Sequence, residues 1–421
     1  MMHESSAVRK WKWQHVGHAA LLVAIGAGCA QVAVGATRPR PVRSGMEVLL
    51  SDSLHLVRGK RVGLVTNLAA VGSDGTDVVT MMRRAPITLV ALFGPEHGLS
   101  AQAAPGERIA NAVDSATRTP IYSLYGAIRR PSPQMLEGIE VLVVDLPDVG
   151  ARYYTYIATA IEVMQAAAQA GIPVIVADRP NPIGGTIQGS MRNTDTVWSS
   201  MVSRLVVPLR HGLTLGEQSL LAVKDLNIGV RLTVVPAAGW RRNVYYEATG
   251  LPFRAPSPNL KDVDALFHYA GTCLFEGTAL SVGRGTDFPF HQVGAPWLDT
   301  TAVLAKMWDA GLPGVGFVGT SFTPHDPGDG KFADTTVVGI RLVISDRTTY
   351  DPTATAVHLL AAIRDVHPDR IRIGGSFDRL AGGRTLREAL LRAERPTDIV
   401  NSWAPDVAAF EQKVRGLLLY P

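Results

Sequence analysis

Short apolar segments alternate with longer amphipathic ones through the first half of the chain. Four of the short segments are nearly continuous runs of aliphatic residues: 61–66 (RVGLVT), 87–93 (ITLVALF), 140–145 (EVLVVD) and 173–178 (PVIVAD). Runs of this kind, which lack alternation of polar and apolar positions, are typical of strands buried on both faces of a parallel sheet. The pattern therefore predicts an α/β fold whose parallel sheet is built from βαβ units.

Helix signals separate and follow these strands. Residues 155–171 (TYIATAIEVMQAAAQAG) combine many alanines, apolar residues at helical spacing and a closing Gly171, which together predict an amphipathic crossover helix. Further along, Thr214 is followed three residues later by Glu217. That spacing predicts a capping box at the start of another helix.

The pattern changes in the second half of the chain. From residue 231 onward, strand-like runs such as RLTVVP, GVGFVGT and TTVVGIRLVISD alternate with loops and helices. A chain of 421 residues is long enough for two domains. We predict a parallel-sheet domain over residues 45–227 and a second, α+β domain over residues 228–421.

Composition and charge indicate which kinds of molecule the protein is not expected to bind. Hydrophobic residues make up 46% of the chain and charged residues 19%, as in a globular protein. The 41 basic and 37 acidic residues leave a net charge of +4 and form no basic stripe, which argues against nucleic acid as the main partner. No glycine-rich dinucleotide fingerprint follows the first strand and no phosphate-loop motif occurs, so a nucleotide is not expected either.

The first residues of the chain resemble an export signal. Basic residues within positions 9–12 precede an apolar run, 19–36, which is short for a membrane span and interrupted by glycines. We predict a signal peptide over residues 1–36, cleaved near Ala36, and a periplasmic or secreted protein. The alternatives are a lipoprotein modified at Cys29 and an uncleaved anchor. After cleavage Cys273 is the only cysteine left, so no internal disulfide can form.

Polar residues cluster directly after the predicted strands. Open parallel sheets bind ligands at the carboxyl ends of their strands, so residues at these positions are candidates for one shared cleft. The candidates from the first half of the chain are Asn67, Glu96, His97, Asp145, Arg152, Tyr154, Asp178, Arg179 and Asn181.

Glu96 is the leading candidate for a catalytic acid. Glycine and proline flank it in the segment 94–98 (GPEHG), which predicts a rigid turn that holds one carboxyl group at a strand end. Burial there would favour the protonated form, which the acid in glycosidic cleavage requires. The alternative interpretation is a structural cap. His97 would orient Glu96 or a substrate hydroxyl, or have a structural role.

Loops rich in glycine and hydroxyl residues supply further candidates. Those from residue 211 onward are His211, Ser257, Asn259, Ser281, Arg284 and Thr286. Arg284 lies between two glycines, and its planar guanidinium suits a ligand carboxylate. A phosphate nest and a set of tight turns are the alternatives. Arg152 and Tyr154, near the start of the crossover helix, suit an anion and a sugar face, or a packing layer.

The sequence does not favour a metal site or a serine nucleophile. Histidine and aspartate residues at positions 97, 145, 178, 211, 268 and 291 have none of the spacings of a metal motif, and no G-x-S-x-G segment occurs. We therefore predict no metal and no cofactor.

Seven ordered segments together carry a resemblance to a known family. They are FGPEHG (93–98), YSLYG (122–126), DLPDVGARYYTY (145–156), DRPNPIGG (178–185), RHGLTLGE (210–217), PSPN (256–259) and FEGTALSVGRGTDFPF (275–290). The chain resembles the exo-acting β-N-acetylmuramidases of peptidoglycan turnover over nearly its whole length after the signal segment. The resemblance implies a Rossmann-like catalytic domain, a smaller accessory domain and a cleft between them. It also implies a catalytic glutamate at Glu96 and activity without nucleotide or metal.

These observations lead to one hypothesis and two alternatives. The hypothesis is an exported glycoside hydrolase that releases terminal N-acetylmuramic acid from the non-reducing ends of peptidoglycan fragments, with Glu96 as the acid. Glu276, Asp145 and Asp178 are the open candidates for the second carboxylate, and the sequence determines neither the stereochemistry nor the oligomeric state. The alternatives are a non-catalytic binder of cell-wall glycans and a metal-dependent hydrolase.

Overall fold

The computed structural model describes residues 41–115 and 117–421. The predicted signal peptide, its cleavage site and Cys29 lie outside the described residues.

The strands are β1 (Arg61–Thr66), β2 (Thr88–Gly94), β3 (Ala112–Val113), β4 (Pro120–Ser123), β5 (Val141–Asp145), β6 (Val174–Ala177), β7 (Gln188–Met191), β8 (Pro208–Arg210), β9 (Leu232–Val235), β10 (Gln292–Ala295), β11 (Val315–Phe322) and β12 (Val337–Ile344). The α-helices are α1 (Gly45–Ser51), α2 (Val78–Arg84), α3 (Tyr156–Ala170), α4 (Leu215–Asp225), α5 (Val263–Thr272), α6 (Thr300–Asp309), α7 (Pro352–Val366), α8 (Gly375–Ala381), α9 (Thr385–Leu391), α10 (Pro396–Asn401) and α11 (Ala404–Val414).

A seven-stranded, mostly parallel sheet carries the first half of the chain. Its strand order is β3-β4-β2-β1-β5-β6-β9, and only the short edge strand β3 runs antiparallel to its neighbour. The four strands predicted from the sequence are β1, β2, β5 and β6, which lie side by side in the middle of this sheet. These strands are buried along most of their length because helices cover both faces, which is why they read as unbroken apolar runs.

The large sheet continues beyond residue 227. Strand β9 lies in the range predicted for the second domain, but it pairs in parallel with β6 at the sheet edge, with Val176 opposite Val234. Residues 41–421 form one compact unit. The division of the chain into two domains near residue 228 stays a prediction.

The predicted helix signals have the expected structures. Helix α3 crosses between β5 and β6 and ends at Gly171, whose φ of 70° is the left-handed conformation that glycine adopts at low cost. The Thr214 hydroxyl accepts from the Glu217 amide, and the Glu217 side chain accepts from the Thr214 amide, so the capping box of α4 is present.

A smaller antiparallel sheet, ordered β10-β12-β11, lies in the second half of the chain, and α6 packs against its strands β11 and β12. The α/β fold class is therefore confirmed. One continuous apolar core includes Val144 and Val176 of the large sheet together with Phe267, Val293 and Ile340 from the second half. This shared core fixes the loops of the two halves against each other. Among the described residues, no helix is long and apolar enough to cross a membrane.

Candidate active site

Glu96 lies in a tight turn directly after β2. The Gly98 amide donates to the Pro95 carbonyl at 3.0 Å, and His97 and Gly98 both have left-handed φ angles, 68° and 69°. A Cβ atom on Gly94 would lie 2.8 Å from the amide nitrogen of Leu99, so a larger residue does not fit there. The local sequence therefore sets the position of Glu96.

Two donors hold the Glu96 carboxyl group. The Thr155 hydroxyl donates to Oε2 at 2.8 Å, and the Gly106 amide donates to Oε1 at 3.3 Å. Thr155 directly precedes helix α3, so the crossover helix and the loop after β2 meet at this carboxyl group. Tyr125 faces the same group, and burial together with the Glu96 charge raises the pKa of its hydroxyl.

His97 is buried beside Glu96 and has a defined tautomer. Its Nδ1 lies 2.7 Å from the Ala103 carbonyl oxygen, which can only accept, so Nδ1 carries the proton. Burial lowers the pKa of His97, which favours the neutral ring. The predicted orienting role toward substrate is compatible with this geometry because neutral Nε2 remains an acceptor.

A second carboxylate reaches the same cavity from the other half of the chain. Glu276 lies on a 3₁₀ turn, Cys273–Gly277, that follows α5, and its Oε1 accepts from Arg284 Nε at 2.5 Å. Burial would lower the pKa of Arg284, but the Glu276 carboxylate raises it. Arg284 Nη1 is buried and has no hydrogen-bond partner among the described residues. One arm of the guanidinium is thus left without a partner from this part of the chain, and Arg284 is one of the residues that line the cavity described next.

The cavity that joins these groups has a volume of 240 Å³. Its lining residues are Glu96, His97, Pro105, Gly106, Tyr125, Tyr153, Tyr154, Thr155, Val202, Ser257, Leu260, Tyr269, Glu276, Arg284 and Phe290. Two carboxyl groups, an arginine and several aromatic rings therefore line one cavity.

A more open groove adjoins this cavity along Pro105. It has a volume of 560 Å³, and Asn259 and Thr286 are among its lining residues. Ser281 is buried, and its hydroxyl accepts from the Gly283 amide at 3.1 Å, so it shapes the turn before Arg284. Of the predicted binding residues in this region, Ser257 and Arg284 reach the cavity.

The structure does not bring Asp145 to the cavity. Asp145 is fully buried at the end of β5, where both of its oxygens accept from the Arg179 guanidinium, and Arg179 also donates to the Val71 carbonyl. Burial by itself would lower the pKa of Arg179, but the negative charge of Asp145 raises it. This buried pair satisfies both partners, and neither residue lines the cavity. The structure therefore does not bring them to Glu96, and their catalytic and binding roles stay predictions.

Asp178 is also engaged elsewhere. Its oxygens accept from the Thr214 hydroxyl at 2.6 Å, the Gly216 amide at 2.8 Å and the Tyr420 hydroxyl at 2.7 Å. Asp178 thus joins β6, the start of α4 and the end of the chain. Asp178 does not line the cavity, so the structure does not bring it to Glu96, and its catalytic role stays a prediction.

Burial gives Asp178 a testable effect on stability. Burial raises its pKa from 3.8 to about 7, although its three hydrogen bonds oppose the shift. Between about pH 4 and about pH 7 the folded state therefore binds more protons than the unfolded state, so the contribution of Asp178 to the free energy of unfolding falls as the pH rises. We expect Asp178→Asn to flatten this fall in denaturant titrations from pH 4 to pH 8. Equal slopes in the variant and the wild type would contradict the assignment, and Asp406→Asn, on the exposed surface of α11, is the control.

Four other predicted binding residues hold the scaffold. Arg152 is buried and donates to the carbonyls of Ser190, Val207 and Leu380, and burial lowers its pKa to about 10. The remaining three are also buried and bonded internally: Asn67 to Tyr156, Asn181 to Leu213 and Ile183, and His211 to the Leu213 amide. None of the four lines the cavity, so the structure does not bring them to Glu96, and their contacts with substrate stay predictions.

Two residues at the Glu96 carboxyl group were not predicted. Thr155 occupies the position before α3 where hydroxyl residues commonly cap a helix, but its hydroxyl donates to Glu96 instead. Tyr125 lies in the YSLYG segment, after the short strand β4 that the sequence analysis did not identify. Among residues 41–115 and 117–421, no group of three or more His, Cys, Asp or Glu residues is arranged to hold a metal ion.

Family models agree with this arrangement of two halves. The N-terminal model of the exo-β-N-acetylmuramidase NamZ matches residues 62–264, and the C-terminal model of NamZ matches residues 267–420. The chain belongs to the NamZ family. It is 38% identical over 389 residues to the peptidoglycan β-N-acetylmuramidase NamZ of Bacillus subtilis (strain 168), covering 91% of this chain and 92% of the relative.

Solved structures extend the NamZ likeness to the fold. A DUF1343 family protein from Bacteroides fragilis superimposes with a TM-score of 0.82 at 32% identity, covering 91% of this chain and all of that protein. A second one from the same organism has a TM-score of 0.72 at 27% identity, covering 90% of this chain and 99% of its own. The chain is therefore a member of a family of exo-acting glycoside hydrolases and shares the fold of these two proteins.

Proposed function

We propose that this chain is an exported exo-β-N-acetylmuramidase that removes terminal N-acetylmuramic acid from the non-reducing ends of peptidoglycan fragments. The observation that carries the proposal is that Glu96, Glu276 and Arg284 all line one cavity. Membership of the NamZ family supports the reaction class, and the cavity supports the residues.

The two carboxyl groups suit the two roles in glycoside hydrolysis. Glycosidases place one group to protonate the leaving oxygen and a second to attack the anomeric carbon or to activate water. Glu96 is the proposed acid, because Thr155 and Gly106 hold it at the end of a rigid turn. Glu276 is the proposed second carboxylate, because it is the one of the three open candidates that lines the cavity.

Arg284 gives the cavity a means to select muramic acid. N-acetylmuramic acid carries a lactyl ether on its 3-oxygen, and N-acetylglucosamine lacks this group and its carboxylate. The Arg284 guanidinium donates to Glu276 through Nε and has no described partner at Nη1, so we propose that it donates to that carboxylate while keeping its own ion pair. The aromatic rings of Tyr154 and Tyr269 in the same wall suit the apolar face of a sugar.

A pair of chromogenic substrates tests the proposed function directly. The protein is incubated with a β-N-acetylmuramide and with the matching β-N-acetylglucosaminide, each with and without a chelator. We expect turnover of the muramide that the chelator does not affect. Binding of glycan without turnover would favour the alternative of a glycan-binding protein, and loss of activity with chelator would favour a metal-dependent hydrolase.

We propose export on the basis of the first 36 residues. The expected result is a protein from the native host whose amino terminus lies near residue 37, measured by intact mass. A mass that includes Met1 would contradict cleavage. A mass that corresponds to a diacylglycerol on Cys29 would instead support the lipoprotein alternative.

A further inference from the structure

Lys331 makes an unusual set of contacts next to the cavity. It lies in the loop between β11 and β12, and its Nζ donates to three backbone carbonyls: those of Phe275 at 3.3 Å, Glu276 at 3.0 Å and Leu280 at 3.0 Å. An ammonium group has three donors. All three are therefore directed at the segment that carries Glu276.

Two of these carbonyls, those of Phe275 and Glu276, lie at the end of the 3₁₀ turn Cys273–Gly277, and the third, that of Leu280, follows three residues after the turn. The last carbonyls of a helical turn have no partner within the turn, and a cation at that end both donates to them and opposes the local negative charge. The Phe275 carbonyl also accepts from the Thr278 amide and hydroxyl. For the carbonyls of Glu276 and Leu280, Lys331 is the donor that the structure provides.

The same loop contacts the turn that carries Arg284. The His325 amide donates to the Gly285 carbonyl at 2.9 Å, and a Cβ atom on Gly285 would lie 2.4 Å from the His325 carbonyl oxygen. A hydrogen bond within the loop also holds the backbone at Lys331, because the Lys331 amide donates to the Asp329 carboxylate at 3.0 Å. One loop therefore holds both members of the Glu276–Arg284 ion pair.

We propose that Lys331 is a positioning residue for this ion pair: its ammonium fixes the turn of Glu276 relative to the turn of Arg284. Lys331 does not line the cavity, so it acts through these two residues and not on the sugar. The kinetic part of this inference rests on the proposed function, whereas the structural part does not.

Lys331→Met tests the inference because it keeps the length of the side chain and removes its donors. Displacement of a reacting group by about 1 Å can cost about 10²-fold in rate, so we expect kcat on the muramide to fall by about this factor while KM changes by much less. Backbone amide exchange in residues 273–284 should become faster. Lys306→Met is the matched control, because Lys306 is an exposed lysine of α6 whose ion pair with Asp365 is long, at 3.6 Å.

Chemical rescue separates positioning from general loss of structure. In Lys331→Cys, alkylation with 2-bromoethylamine creates a side chain of nearly the length and charge of lysine. We expect the treatment to restore kcat and slow amide exchange in this segment, and to leave the treated wild type unchanged.

Each outcome has a distinct meaning. If Lys331→Met has the kcat and the amide exchange of the wild type, the inference is wrong. It is also wrong if the activity lost in Lys331→Met equals the fraction of unfolded protein and alkylation of Lys331→Cys restores no activity. Absence of muramidase activity in the wild type would overturn the proposed function. In that case, faster exchange confined to residues 273–284 still supports the positioning role, and unchanged exchange refutes it.

Discussion

Replacing Glu96 with Gln should lower the turnover of an unactivated muramyl disaccharide by at least about 10²-fold, the smaller end of the contribution of a general acid. The amide cannot give a proton to the leaving oxygen. It can still accept from the Gly106 amide and donate to the Thr155 hydroxyl, so the shape of the site should persist. The measurement is kcat on the disaccharide, with the midpoint of thermal unfolding as a check on the fold.

Comparing two substrates with different leaving groups tests whether Glu96 acts as the acid. A nitrophenyl muramide needs little protonation of its leaving oxygen, so Glu96→Gln should lose much less activity on that substrate than on the disaccharide. The control is Glu411→Gln, at an exposed position of α11, which should match the wild type on both substrates. Wild-type turnover of the disaccharide by Glu96→Gln would remove Glu96 from the mechanism.

Truncating Arg284 should cost about 2 to 5 kcal/mol in kcat/KM on muramides, because the lactyl carboxylate would be left unpaired in the cavity. From the sequence alone, the matching glucosaminide is expected to lose much less. The structure adds a second effect, since Arg284 Nε also pairs with Glu276. Arg284→Ala therefore disturbs the proposed second carboxylate, and part of the loss should appear on both substrates.

Arg284→Lys separates the two effects. A lysine ammonium can retain a charge next to Glu276 but lacks the planar fork that would bind two partners at once. We expect this variant to keep most of the glucosaminide activity and to lose preference for the muramide. The quantity to measure is the ratio of the two kcat/KM values. A ratio equal to that of the wild type in both variants would show that Arg284 is structural and that the lactyl group is recognised elsewhere.

Local sequence predicted the central elements of the fold well. The runs at 61–66 and 140–145 became β1 and β5 because unbroken aliphatic segments are stable only between two covering layers. Helix α3 and the capping box of α4 were predictable because their signals lie within a few residues of each other. Short elements with weak patterns, such as β4 and its following Tyr125, were not identified.

The assignment of polar residues to the site was less predictable. All four strand ends carry polar groups, and the parallel sheet does bring those ends to one edge. Whether each group faces a ligand depends on its partners, and these come from distant parts of the chain: Arg179 for Asp145, and Tyr420 for Asp178. Asp145 and Asp178 are bonded to these partners and do not line the cavity that Glu96 lines.

The fold class, the central strands and the turn that presents Glu96 can therefore be predicted from the order of residues, because each depends on residues that are close along the chain. Which second carboxylate shares the cavity depends on how the whole chain folds. Glu276 follows Glu96 by 180 positions and meets it because a common apolar core holds the two halves together. No local pattern distinguishes it from Asp145 or Asp178, since what differs between them is the set of neighbours supplied by the folded chain.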